Sequence, residues 1–197
     1  MPAGRMRSAA SVRFALRNAT DEVHERLHDA APFRAIAEGR LPRTGYARLL
    51  RALHHFHARL EQGCGEAWRG LPRSAARVPQ LETDLRHLGE DVPAARGRWS
   101  PPATEGAALG CLYVAQGSTL GGRVIHRQLD YLFDDARGRL FFAGSAGDGP
   151  AWRALCGLLE QEGRAPDRLQ GMIAGARAAF ALFEHCLEQM QEECVHG

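Results

Sequence analysis

Apolar residues recur along this chain at steps of three and four, the spacing of one face of a helix. In "SVRFALRNATDEVHERLHDA" (11–30), Val12, Leu16, Ala19, Val23 and Leu27 fall on one such face, and Pro32 breaks the run. A short helical turn around "PFRAIAEG" should end at Gly39. Thr44 can cap a longer helix over 45–62, carrying Leu49, Leu50, Leu53, Phe56 and Leu60, which "QGCG" closes. "VPQLETDLRHLG" places Leu81, Leu85 and Leu88 on one face ahead of a terminal Gly89. Residues 91–102, "DVPAARGRWSPP", read as a proline-rich connection and not a domain boundary, because neither half alone would have a full core. Thr104 then caps a helical stretch to about Phe133, and the glycine-rich "FFAGSAGDGP" leads into a helix over "AWRALCGLLEQEG". After Pro166 a last helix runs to about residue 192. No segment alternates with period two for long enough to be a strand. The pattern predicts an all-α, single-domain fold of about seven helices over 11–192, with flexible ends at 1–10 and 193–197.

Length and composition agree with one domain. The chain has 197 residues, 45% hydrophobic and 24% charged, which suits a folded core. No window holds the ~20 uncharged apolar residues of a membrane span, and the basic start "MPAGRMRSAASVR" is not followed by an apolar stretch. A cytoplasmic location without membrane attachment is the expectation. A net charge of +2 gives no reason to expect nucleic acid as partner. The chain contains no lysine, so any anion site must use arginine, whose planar fork suits carboxylates. Five cysteines (Cys64, Cys111, Cys156, Cys186, Cys194) without a CxxC read as reduced packing thiols.

Two constellations could carry chemistry. "AQGSTLGGRV" (115–124) sets Gly117, Gly121 and Gly122 inside a helical pattern, where each glycine costs about 1 kcal/mol relative to alanine. Close helix packing or a kink could offset that, and so could a flat ligand lying against the bare backbone. There is no GK[ST] and no GxGxxG, so a phosphate loop fits poorly. The second constellation is histidine. "HERLH" has the two histidines four apart and the adjacent glutamate of a HExxH zinc motif, but no third ligand stands out, and His54, His55 and His57 read as solvated or core-edge residues. His24 has different neighbours: Arg17, Thr20, His24 and His28 share one flank of the first helix, with Arg17 roughly 10 Å from His24. A neutral imidazole and a guanidinium along one edge suit a haem, with iron bound axially and propionates held by cations. A satisfied core-edge histidine is the alternative.

Taken together, these segments resemble a known family. "LRNATDEVHERLH" (16–28) resembles the first helix of haem oxygenases, and "YVAQGSTLGGRVI" (113–125) their distal helix. "FFAGSAGDGPAWRALCGLLE" and "ARAAFALFEHCLEQM" resemble later regions of the bacterial enzymes, especially those encoded with bacteriophytochromes, and the similarity spans about 11–190. The resemblance implies an all-α enzyme with haem b as both cofactor and substrate, sandwiched between the first helix and a kinked distal helix. Such an enzyme cleaves haem with O₂ and reductase electrons to biliverdin, CO and ferrous iron. It implies His24 as the proximal iron ligand, Arg17 at a propionate, and Thr20 in the same motif. Gly117 and Gly121 would form the distal backbone with Ser118 and Gly122 beside them, Arg153 a propionate contact, and Phe180 a pocket wall. Mammalian members carry aspartate where this chain has Ser118, and Tyr113 sits one position from their propionate-binding tyrosine. The implied partners are an electron donor, such as ferredoxin or a ferredoxin/NADPH reductase, and a bacteriophytochrome as bilin acceptor. A non-catalytic haem carrier or sensor, or a thiamin-related enzyme of the same helical superfamily, would share the helical pattern.

Overall fold

The computed structural model describes residues 11–74, 76–94 and 97–192; the expected flexible ends, 1–10 and 193–197, lie outside it, as does Cys194. Among the described residues every regular element is a helix, and there are eight: α1 (Val12–His28), α2 (Ala31–Ala37), α3 (Arg43–Cys64), α4 (Arg77–His87), α5 (Ala107–Gln128), α6 (Leu140–Ala143), α7 (Asp148–Glu162) and α8 (Pro166–Glu192). The extra element is α6, a single turn inside the segment read as a glycine-rich loop. Its first two N–H groups, on Leu140 and Phe141, donate to the Asp84 carboxylate of α4 at 2.8 and 2.9 Å. That support comes from 56 residues upstream and leaves no local pattern.

Two expected caps are corrected. Thr44 lies inside α3, which starts at Arg43 after an extended Pro42. Thr104 precedes α5 in a turn, its carbonyl accepting from Ala107 N at 3.1 Å, and Gly106 with φ +89° begins the helix instead. That helix also stops at Gln128, short of Phe133.

Helix α8 forms the central axis, packing against α5, α3 and α1; α4 lies on α3, α6 bridges α4 and α5, and α7 rests on α5 and α1. The α5–α8 contact is backbone to backbone. A Cβ on Gly110 would fall 1.9 Å from Met172 O, and one on Gly175 1.9 Å from Ala107 O, so only glycine permits this approach. One hydrophobic cluster, from Val12 and Leu16 through Leu50, Leu81 and Leu112 to Met172 and Leu182, fills the interior. The four described cysteines, Cys64, Cys111, Cys156 and Cys186, are all free thiols. No described helix is long and apolar enough to cross a membrane.

The histidines of α3 correct a further expectation. His54, His55 and His57 are 3%, 6% and 3% exposed, so none is solvated. They sit where α3 is covered on nearly its whole circumference, by α8 on one side and α4 on another.

Candidate active site

Helices α1 and α5 both lie on α8 but are not substantially packed on each other. Arg17 of α1 is close enough to Tyr113 of α5 for its charge to act on that phenol, so the gap between the two helices is the candidate cleft. On the α1 side, the His24 ring is exposed, 5.0 Å from His28 and 6.3 Å edge-on from Phe180 of α8. Burial, then the neighbouring His28, lower the His24 pKa against the opposing pull of Asp21, which keeps the imidazole neutral near pH 7. Arg17 is exposed, and its guanidinium makes no ion pair or hydrogen bond to a described residue. Its charge acts instead on His24 and on the Tyr113 phenol across the cleft. Thr20 is placed differently from its flank-mates: it is 4% exposed and its hydroxyl donates to Leu16 O at 2.9 Å within α1.

On the α5 side the three glycines separate by role. Gly122 is buried against α6, where a Cβ would meet Phe142 O at 3.3 Å, and so serves packing. At Gly117 a Cβ would touch the Trp152 ring at 3.5 Å, an ordinary contact. At Gly121 it would meet nothing within 4 Å. Gly117, Gly121 and Val124 follow at i, i+4 and i+7, and Val124 is 48% exposed, so this flank of α5 is bare backbone followed by an apolar side chain. The helix is unbroken through this stretch. Ser118 is exposed and donates to Ala115 O at 3.0 Å, while Thr119 donates to Gln116 O at 2.7 Å. Tyr113 is half-buried, its ring 5.7 Å from Trp152 of α7; burial pushes its phenol up, and Arg17 pulls it down. Arg153 follows Trp152 on α7 and is exposed.

Sequence reasoning passed over Trp152. A tryptophan in an amphipathic helix reads as core, and only the fold sets it against Gly117 and Tyr113. It also passed over a small half-open pocket of about 30 Å³ beside α5, bordered by His57, Glu61, Trp68, Arg77 and Gln116, large enough for water. Gln116, adjacent to Gly117, is held there: its Oε1 accepts from Ser74 N and Oγ at 3.1 and 3.0 Å, and its Nε2 donates to Pro72 O at 2.8 Å. Arg77 pairs with Asp148 at 3.3 Å, which in turn accepts from Ser145. The His57 Nε2 hydrogen-bonds no described residue.

Burial, then the charge of Arg77, push His57 down to about 3. A depressed folded-state pKa means that, between about 3 and 6.5, the unfolded chain takes up a proton that folded His57 refuses. Its contribution is full above pH 6.5 and is lost as pH falls, by about 1.4 kcal/mol per pH unit. Asp84 acts with the opposite sign. Burial pushes it up to about 6 against the Phe141 and Leu140 N–H groups, so its contribution is lost as pH rises through 6. His57→Gln should therefore remove one proton's worth of slope from urea stability between pH 6.5 and 4.5. An unchanged difference between the two proteins across that range would refute the assignment.

The exposed His24 and Arg17 of α1 and the uncovered Gly121 of α5 stand on a protein whose described elements are all helices. The model of the heme oxygenase family matches residues 10–189, and the chain belongs to that family. It is 38% identical over 159 residues to a heme oxygenase of Xanthomonas campestris pv. campestris (strain 8004), a match covering 78% of this chain and 94% of that one. Among solved structures, the NO- and CO-bound heme oxygenase from Neisseria meningitidis superposes with a TM-score of 0.75 at 24% identity, covering 92% of each chain. Heme oxygenase-1 from the cyanobacterium Synechocystis, in complex with heme, gives 0.72 at 13% identity over 95% of each. These two structural likenesses concern the fold.

Proposed function

We propose that this protein is a biliverdin-forming haem oxygenase whose substrate lies in the cleft between α1 and α5. The observation that carries this reading is the pairing of His24 and Phe180 on one wall with the uncovered Gly117–Gly121 flank on the other. The donor set fits haem: His24 is held neutral, as an iron ligand must be, and Arg17 pairs with no carboxylate among the described residues. When bound, haem supplies the iron centre for O₂ chemistry and is itself the molecule cleaved, to biliverdin, CO and ferrous iron.

The chain's own residues bind and orient. His24 holds the iron through a neutral nitrogen, a weaker electron donor than a cysteine thiolate. Arg17, with Arg153 and Tyr113 nearby, takes the propionates at the margin. Gly117 and Gly121 present main chain where any side chain would hold the ring away, and Phe180 walls the ring edge. Ser118 keeps an acceptor lone pair beside this surface, since its hydrogen goes to Ala115 O. His57 and Glu61 border the cavity behind Gln116, where burial raises the Glu61 carboxyl against the pull of Arg73 and suits it to hold a proton. Electrons would come from a ferredoxin or a ferredoxin/NADPH reductase, and a bacteriophytochrome would accept the bilin, all in the cytoplasm.

Haemin added to the purified protein should form a Soret band that decays, with release of a bilin, when reductase or ascorbate is supplied under O₂. A persistent Soret band would mark a carrier or sensor, and absence of any haemin binding would reject the site.

A further inference from the structure

Helix α1 carries no cap of its own. Ser11 makes no side-chain bond to the helix, and no acidic residue stands in the first turn, although the first N–H groups of a helix need acceptors. The acceptor comes from α7. The Glu160 carboxylate accepts from Ser11 Oγ at 2.5 Å, Val12 N at 3.0 Å and Arg13 N at 3.1 Å, across nearly 150 residues of sequence. Burial raises this carboxyl, but those bonds and the charge of Arg13 outweigh it and hold the pKa below its ordinary value.

The same face of α7 reaches the opposite wall of the cleft. Trp152, Cys156, Glu160 and Gly163 are spaced four, four and three apart. Trp152 lies against Gly117 and Tyr113 of α5; Cys156 is close enough to Arg13 of α1 for that charge to act on its thiol; and a Cβ on Gly163 would overlap Val12 at 2.7 Å. One helix face therefore touches both walls, α5 at its amino end and α1 at its carboxyl end. We infer that Glu160 is a positioning residue: by tying the amino end of α1 to α7, it sets where Arg17 and His24 stand relative to the glycine flank of α5. From Val12 to His24 is about 18 Å of helix, so a small tilt at the tied end displaces the ligand end appreciably.

This inference rests on the haem reading of the cleft and is tested by haemin affinity, the ferric ligation spectrum and the thermal midpoint together. Glu160→Ala is expected to bind haemin about tenfold more weakly, the range that loss of a helix cap spans, and to show a second ferric species with altered ligation. Ser11→Asp placed in the Glu160→Ala protein supplies a local cap without the tie to α7. It should recover the thermal midpoint while leaving affinity and spectrum altered. Glu160→Gln, which keeps the side chain's size, carries the comparison if the alanine protein does not fold, and should show a smaller effect of the same kind. Native affinity and spectrum in Glu160→Ala and Glu160→Gln, or their full recovery with Ser11→Asp, would overturn the positioning role and leave the haem reading intact. Failure of the native protein to bind haemin would reject both.

Discussion

His24→Ala is expected to weaken haemin binding by at least about a hundredfold and to abolish bilin formation, an effect larger than that of losing an outer-sphere partner of a metal ligand. No other imidazole is so placed, at the α1 wall with Phe180 edge-on and Arg17 two turns away. The ferric spectrum of any residual complex should lose its imidazole character, and free imidazole should restore it. His28 is the one alternative ligand, its ring 5.0 Å from that of His24. A native spectrum in His24→Ala, lost only when His28 is also replaced, would move the iron to His28.

The glycines give the second large effect, in opposite directions at two positions. Gly121→Leu puts a side chain into space where nothing lies within 4 Å. It should raise the unfolding free energy by about 1 kcal/mol by removing a mid-helix glycine. The same side chain would stand between the ring and the α5 backbone, so turnover should fall about a hundredfold, or some 2.7 kcal/mol. Gly175→Ala should do the reverse. Its methyl would overlap Ala107 O at 1.9 Å, and forcing α5 off α8 should cost about 3 kcal/mol, whatever ligand is present. A chemical-denaturation curve and a turnover assay on each protein decide the matter. If Gly121→Leu is as active as the native protein, the glycine flank does not face the substrate.

That contrast shows why glycine was ambiguous in the one-dimensional pattern. "GSTLGG" drew attention because its glycines cluster, and close packing and a bare ligand surface explained the cluster equally well. In the fold both explanations hold, at different residues: Gly122 packs on Phe142, and Gly121 is open. The tightest packing glycines, Gly110, Gly171 and Gly175, stood unremarked in ordinary helical sequence. Histidine behaved similarly. His24 was legible because Arg17 lies on the same helix at a fixed spacing, and that relation survives without tertiary information. His57 was left open between solvated and core-edge because its burial depends on α4 and on the Arg77–Asp148 pair, which join α3 only when the chain folds.

Helix boundaries divide along the same line. The start of α8 at Pro166 and the stop of α4 before Gly89 follow from residues on the spot. The starts of α1 and α6 depend on Glu160 and Asp84, acceptors brought from elsewhere. By itself the sequence determined the helical class and the order of the main helices, and it singled out the residues proposed for the two walls of the cleft. Those follow from apolar periodicity and from side-chain chemistry at short spacing, which are local properties. Only the tertiary structure decided which glycine is bare, which histidine is buried and what caps the proximal helix. Each of those depends on atoms that lie far apart along the chain and meet only when the helices pack together.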